Sequence, residues 1–251
     1  MLTVNLEKLD FIDYFNNQKV QFTVNLGDII DRDQKDLDSV LICLKHLNKK
    51  IFHTTGNHDY KGITDNKVLY KKLKMPSEYY SFMKKNWVFV FLNTNEIAAY
   101  SNVVGTAKEQ ELLRIQNQIK VNKEIQGARW NGGVSSRQLQ WLDNLLKKSE
   151  KKNRNVLIFC HHPLYPRSQF TALNNMEILD VINRYNCVKA IFSGHHHSGA
   201  FGYFDHIPCN TVEGMIETPD KNSFGIVRIY KDRIELEGKE RMTSRLFMLQ
   251  P

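Results

Sequence analysis

The clearest pattern in the chain is a short apolar run that ends abruptly in polar residues whose side chains can bind a metal or take part in a reaction. It occurs at 20–26, 51–55, 156–160 and 190–192. Apolar runs of this length that stop at turn residues predict buried strands. The residues that follow the four runs are Gly27 and Asp28; Gly56, Asn57 and His58; His161 and His162; and Ser193 to His197.

Amphipathic stretches alternate with these strands. Apolar positions three or four apart predict helices over 2–15, 36–47, 135–148 and 175–186, with a more polar helix over 106–126. After His197 the pattern changes to short β segments at 201–204, 210–216, 224–230 and 233–237. Strands at both ends with helices between them favour an α/β fold, in which two mixed β-sheets pack face to face and are flanked by helices.

The sequence predicts a single domain over 1–251, since the chain contains no internal repeat and no segment with the composition of a linker. Residues 59–85 are polar and interrupted by Pro76, so we expect an irregular excursion above the strand ends. Residues 100–133 form a second segment of this kind. Both are candidate lids or insertions.

The residues at the strand ends are suited to a metal. The carboxyl ends of strands in open α/β sheets carry the ligand site, so these side chains are expected to meet. Asp28 offers a carboxylate, Asn57 an amide oxygen, and the histidines at 58, 161, 162 and 195–197 offer imidazoles. This donor set suits Mn, Fe or Zn, whereas Mg or Ca would favour oxygens throughout.

The order of these motifs resembles the calcineurin-like metallophosphoesterases, whose signature is Gly-Asp, then Gly-Asn-His, then a strand-end His, then Gly-His-x-His. The chain is more narrowly similar to the manganese-dependent ADP-ribose/CDP-alcohol diphosphatases. The segments that carry this narrower resemblance are Leu26 to Asp31, Asn131-Gly132-Gly133 with Gln138 to Leu142, and Glu213 to Thr218. The resemblance implies an α/β/β/α sandwich and hydrolysis of a pyrophosphate bond in a nucleotide substrate.

The same resemblance implies roles for individual residues. Asp28 would bridge two divalent metal ions, manganese before iron or zinc. Asn57, His161 and His195 would complete one metal site, and His197 would belong to the other. Two metals about 3.5–4 Å apart can lower the pKa of a water and neutralise phosphoryl charge.

Further roles concern the leaving group and the substrate. His58 would protonate the leaving oxygen, and Asp31 would hold its imidazolium. Arg32 is a candidate phosphate contact, against a surface salt bridge. His162 and His196 would support the ligands or face the substrate, and Asn131 reads as a turn residue because Asn-Gly favours positive φ.

One departure leaves alternatives open. The family begins with a strand that carries Asp-x-His or Asp-x-Gln, and the sequence has no such segment, so an N-terminally truncated fold with one weak metal site is expected. Asp10 and Asp13 fall within helical periodicity and read as surface residues. The competing hypotheses are a metal-dependent diphosphatase, a catalytically impaired member that binds a nucleotide or a protein, and a nuclease.

Composition excludes few classes of partner or cellular compartment. The 251 residues are 41% hydrophobic and carry a formal charge of +8, which suits phosphate-ester substrates as well as nucleic acid. No interleaving of aromatic and basic residues marks a nucleic-acid groove. Widely spaced cysteines, no apolar run of membrane-spanning length and no leader-like N-terminus favour a cytoplasmic protein. Nothing in the sequence indicates an oligomeric state.

Overall fold

A computed structural model describes residues 10–31, 33–215 and 217–249. Its helices are α1 (Asp10–Asn16), α2 (Gln34–Leu44), α3 (Asn66–Lys72), α4 (Ala107–Val121), α5 (Ser136–Lys151) and α6 (Asn175–Ile182). Its strands are β1 (Thr23–Asn25), β2 (Ile51–His53), β3 (Tyr80–Lys84), β4 (Trp87–Phe91), β5 (Asn155–Phe159), β6 (Val188–Ser193), β7 (Ala200–Phe204), β8 (Ile207–Thr211), β9 (Ser223–Ile229), β10 (Arg233–Glu240) and β11 (Arg245–Met248).

The central layer is a six-stranded mixed sheet in the order β3-β4-β5-β6-β8-β7. Its inner strands β4, β5, β6 and β8 run parallel, and the edge strands β3 and β7 pair antiparallel. Both faces of the inner strands are covered, which explains why β4 and β5 read as continuous apolar runs.

Alternate residues of one strand enter different cores. Val88 and Val90 of β4 pack with α5 and α6 on one face. Phe89 and Phe91 of the same strand point to the other face, where they meet β1, β2 and the β9–β11 strands. This alternation follows from the two-residue period of a strand. The six-stranded sheet therefore lies between a helical layer and a second β layer.

The second β layer consists of two hydrogen-bonded sheets. β1 and β2 form a parallel pair, and β9, β10 and β11 form an antiparallel sheet. On the outer side of this layer, Ile12 and Phe15 of α1 pack against Phe224 and Ile226. The predicted arrangement of face-to-face sheets flanked by helices is confirmed, and the division of the second layer is an addition to it.

The excursion predicted over 59–85 is more regular than expected. It contains α3, and β3 within it pairs along its whole length with β4, so β3 belongs to the main sheet. The predicted helix over 2–15 is described only from Asp10 onward, where α1 begins. No helix among the described residues is long and apolar enough to cross a membrane.

Candidate metal centre

The candidate centre lies where the ends of four strands from two different sheets meet. Asp28 follows β1, Asn57 follows β2, His161 follows β5 and His195 follows β6. The Nε2 atom of His161 lies 3.1 Å from the Oδ1 atom of Asn57, 3.1 Å from the Nδ1 atom of His195 and 3.3 Å from the Oδ2 atom of Asp28. Four side chains distant in sequence thus bring their donor atoms to one point.

Hydrogen bonds behind the two histidines determine which ring nitrogens face this point. The Nδ1 atom of His161 lies 2.8 Å from the backbone oxygen of Leu26, which can only accept. Its proton therefore sits on Nδ1, and in the neutral ring Nε2 carries a lone pair. The Nε2 atom of His195 lies 3.0 Å from the Oδ1 atom of Asn131, which leaves Nδ1 directed inward.

The donor set fits a divalent transition metal. Two imidazole nitrogens, one amide oxygen and one carboxylate oxygen converge, and each neutral ring turns its lone pair toward the others. Lone pairs this close to one another need a cation or a proton between them. His161, His162 and His195 also place one ring nitrogen each within 4.8 Å of one another.

Charge at the centre is concentrated on Asp28 and His161. Burial acts to raise the pKa of Asp28, but the His161 and His58 rings outweigh it and lower that pKa to about 2. Burial acts to lower the pKa of His161, but the Asp28 carboxylate outweighs it and raises that pKa. A bound cation would compete with a proton for the position between these two side chains.

The backbone at the centre is held in a rarely populated conformation. Asp28 and His195 have φ of 51° and 65°, a left-handed conformation that non-glycine residues seldom adopt. Such strain is typical of functional sites. A Cβ atom on Gly56 would lie 2.1 Å from the Oδ1 atom of Asp28, so glycine is needed before Asn57 for close approach of the two loops.

Asp59 holds the Asp28 loop in this conformation. Its fully buried carboxylate accepts hydrogen bonds from the backbone N–H groups of Asp28 at 3.1 Å, Ile29 at 2.9 Å and Gly56 at 2.8 Å. Burial and the nearby Asp28 charge raise the pKa of Asp59 to about 7, against the effect of these N–H donors. Sequence reasoning missed this residue, although its place directly after Gly56-Asn57-His58 was a signal.

His58 and Asp31 lie together beside the four donor atoms. The backbone N–H of His58 donates to the Oδ1 atom of Asp28 at 2.8 Å. Its Nδ1 atom lies 3.1 Å from the Oδ1 atom of Asp31 and also contacts the Asp31 backbone oxygen. With Nδ1 engaged in this way, Nε2 is the ring nitrogen available to a substrate.

The remaining predicted residues lie around this centre. His197 is exposed and its Nδ1 atom contacts the Oε1 atom of Glu217. His196 stacks on Phe170, with ring centroids 4.4 Å apart and an interplanar angle of 18°. Phe170 was not singled out from the sequence, and Glu217 was noted only as part of the segment Glu213 to Thr218. Arg32 lies outside the described residues.

His162 is placed behind the centre. It is fully buried, its Nδ1 atom lies 3.0 Å from the hydroxyl of Thr94, and its Nε2 atom lies 3.2 Å from the backbone oxygen of Trp130. Burial, together with the neighbouring His161, lowers the pKa of His162 to about 3. This burial fits support of the His195 ring, 4.4 Å away between ring centroids, better than direct contact with substrate.

A family model and the sequences of known proteins indicate the same family for this chain. The calcineurin-like phosphoesterase model matches residues 6–199. The manganese-dependent ADP-ribose/CDP-alcohol diphosphatase of Bos taurus is 30% identical over 276 residues, which cover 94% of this chain and 82% of that protein. The protein of the same name from Oryza sativa subsp. japonica is 30% identical over 268 residues, which cover 96% of this chain and 83% of that protein.

Solved structures agree with this comparison at the level of the fold. A dimetal phosphatase from Danio rerio superposes with a TM-score of 0.88 and 26% identity, covering 96% of this chain and 88% of that one. GAP50, described as the anchor in the inner membrane complex of Plasmodium, superposes with a TM-score of 0.58 at 14% identity, covering 96% of this chain and 82% of that one. On the family match, the close relatives and the shared architecture, this chain belongs to the calcineurin-like phosphoesterase family.

Proposed function

We propose that this chain is a metal-dependent hydrolase that cleaves the pyrophosphate bond of nucleoside diphosphate derivatives such as ADP-ribose or CDP-alcohols. The observation that carries the proposal is the convergence of Asp28, Asn57, His161 and His195 beside His58. Relatives named for this activity align with more than 90% of the chain, which supports the choice of substrate class.

The metal centre we propose uses manganese before iron or zinc. Asn57, His161 and His195 would hold one ion, His197 would contribute to a second, and Asp28 would be shared between the two. When bound, such ions lower the pKa of a coordinated water and neutralise charge on the phosphoryl group. A carboxylate suits the shared position because it has two oxygens to offer.

His58 is the proposed general acid. Its ring lies beside Asp28 with Nδ1 held by Asp31, so Nε2 is free to donate a proton to the oxygen that leaves. The contact with the Asp31 carboxylate fixes the orientation of the ring. The leaving group is itself a phosphate ester. Its developing negative charge would be stabilised both by this proton and by the positive charge of the metals, so both would contribute to the rate.

Three further residues are proposed to bind the substrate or to support the metal ligands. Arg32 is proposed as a forked contact to phosphate oxygens, because guanidinium geometry matches them. His196 is proposed to face the substrate from the mouth of the centre, and His162 to act from behind His195. The free cysteines, of which Cys160, Cys187 and Cys209 are buried, suit a reducing cytoplasm. No nucleic-acid partner is proposed.

The proposal is tested by product analysis. Purified protein is incubated with Mn²⁺ and either ADP-ribose or CDP-choline, and release of AMP or CMP is followed with and without a chelator. We expect release that requires metal and that falls by about 10²- to 10⁴-fold in His58→Ala. His46→Ala, at an exposed histidine away from the centre, is the matched control and should retain wild-type turnover.

Two results would count against this function. A folded, metal-loaded protein that releases neither nucleotide would contradict the substrate class. Wild-type turnover by His58→Ala would remove His58 from the mechanism, and the metal content of each variant shows whether a loss of turnover arises at the metal or at the proton donor.

A further inference from the structure

Asn131 is a buried side chain that contacts the ring of His195. It is 1% exposed and belongs to the segment between α4 and α5, 64 positions before His195 in the chain. Its Oδ1 atom lies 3.0 Å from the Nε2 atom of His195. His161, the other histidine among the four converging side chains, is instead held by a backbone oxygen, which no side-chain substitution removes.

The orientation of the Asn131 amide is fixed by its surroundings. Its Nδ2 atom lies 2.8 Å from the backbone oxygen of Gln126 and 2.7 Å from that of Gln169. Both partners can only accept, so the amide nitrogen must face them and the amide oxygen must face His195. The imidazole proton of His195 then has to sit on Nε2, because an amide oxygen can only accept.

The backbone around Asn131 is also held firmly. The backbone oxygen of Gly132 accepts from the N–H of Leu173 at 2.8 Å, and Gly133 exchanges two backbone hydrogen bonds with Ile97. Asn131 itself donates its backbone N–H to Ala128 at 3.0 Å. A side chain anchored at both its backbone and its amide nitrogen can impose an orientation on the ring that it touches.

We propose that Asn131 is a positioning residue of the metal centre, whose side-chain oxygen keeps the His195 proton on Nε2 and so presents Nδ1 to a divalent cation. The inference rests on the metal centre of the proposed function. A partner that fixes the tautomer of a ligand histidine typically changes metal affinity by about 10- to 100-fold. A residue that only shaped the turn would leave the affinity unchanged.

Asn174 supplies a matched control for a purely structural role. It is also a buried asparagine, and its amide bonds to the N–H and the oxygen of Val134, in the same segment. It makes no hydrogen bond to a candidate ligand among the described residues. Asn174→Leu should therefore loosen the segment as Asn131→Leu does, while leaving His195 supported.

The first measurement is ¹⁵N NMR of the histidine rings in metal-free protein. We expect the His195 ring of the wild type to carry its proton on Nε2, and Asn131→Leu to lose this single tautomer. A wild-type ring protonated on Nδ1 would overturn the inference, even if Asn131→Leu did not fold.

The second measurement is the affinity for Mn²⁺ of the metal-depleted variants. Asn131→Leu is expected to bind about 10- to 100-fold more weakly than wild type, with Asn174→Leu within a few-fold of wild type. Unchanged affinity in folded Asn131→Leu, or an equal loss in Asn174→Leu, would overturn the inference. Neither readout uses a substrate, so a protein that binds Mn²⁺ without diphosphatase activity would sink the proposed function and leave this inference intact.

Discussion

At the scale of the residue, the strained loop at Asp28 depends on a carboxylate that never touches the donor cluster. Asp59 satisfies three backbone N–H groups at once, and two of them belong to Asp28 and Ile29. These bonds help to hold the loop in the conformation in which Asp28 has positive φ. Asp59, the residue that follows the Gly-Asn-His motif, thus helps to position Asp28, a proposed metal ligand.

Replacing Asp59 by asparagine should therefore damage both stability and the centre. One of the two side-chain oxygens becomes an NH₂ group that faces an N–H donor, so at least one buried donor loses its partner. We expect a loss of about 1–3 kcal/mol in the free energy of unfolding and weaker Mn²⁺ binding, measured by denaturant titration and by metal affinity.

The control is Asp65→Asn, because Asp65 caps α3 at an exposed position, where it accepts one N–H from Lys67. Asparagine caps a helix as well as aspartate does, so this variant should be neutral. Equal stability of Asp59→Asn and Asp65→Asn would contradict the role given to Asp59.

Burial of His53 should make the free energy of unfolding depend on pH. Burial in the core lowers the pKa of this ring to about 4, against about 6.5 in an unfolded chain. Because the folded-state pKa is the lower one, the contribution of the neutral ring is complete above about pH 6.5 and is lost as the pH falls toward 4. The loss amounts to about 3 kcal/mol.

His53→Met has no proton to gain, so the stability of wild type relative to this variant should fall by about 3 kcal/mol between about pH 7.5 and pH 4. Urea titrations of both proteins in the presence of a chelator would measure it. Parallel pH profiles would show that the folded state accepts the proton on His53 without cost.

The residues that could be predicted from the sequence are those that follow a strand directly. Asp28, Asn57, His161 and His195 come immediately after apolar runs, so a local pattern places them at one edge. The role of Asn131 could not be found in this way, because its contact with His195 spans 64 positions and its Asn-Gly context indicated only a turn. The position of Asp59 after Gly56-Asn57-His58 marks it as a residue of interest, but its bonds to the backbone N–H groups of Asp28 and Ile29, about 30 positions away, are visible only in the fold.

At the scale of the element, α5 shows how a clear pattern becomes a packed layer. Ser135 caps its first turn by accepting from the N–H of Gln138. Leu142 and Leu146 are buried against the β4 and β5 face, together with α6. Both the cap and the apolar face are readable from the sequence, and the helix begins and ends within three residues of the prediction.

Leu146→Ala should remove a well-packed part of this layer. The side chain is fully buried, so we expect a loss of about 2–5 kcal/mol in the free energy of unfolding from lost burial and from the cavity that remains. The same substitution at Leu113, which is 52% exposed on α4, should change stability little. Similar denaturation midpoints for the two variants would contradict the packing described for α5.

β3 shows where element prediction fails. Its residues Tyr80 to Lys84 lie at the edge of the main sheet and become more exposed along the strand. An edge strand with polar and charged residues lacks the apolar run that marks a buried strand, and the nearby Pro76 and lysines resemble a loop. Only its pairing with β4, a tertiary contact, makes it a strand.

At the scale of the whole molecule, the metal centre joins two layers. Asp28 and Asn57 come from the ends of β1 and β2 in the second β layer, whereas His161 and His195 come from β5 and β6 of the main sheet. Aromatic side chains fill the space between the layers, among them the stacked Phe91 and Phe159. The sequence predicts the two layers, but which strands hydrogen-bond within the second one depends on packing that local patterns do not encode.

The central claim is that one divalent cation binds where the donor atoms of Asp28, Asn57, His161 and His195 converge. It is tested most directly by anomalous diffraction at the manganese edge from crystals grown with Mn²⁺. We predict an anomalous peak that contacts the Nε2 atom of His161 and the Nδ1 atom of His195, together with the Asn57 and Asp28 oxygens. A manganese peak elsewhere, or fully bound Mn²⁺ that contacts none of these four side chains, would contradict the account.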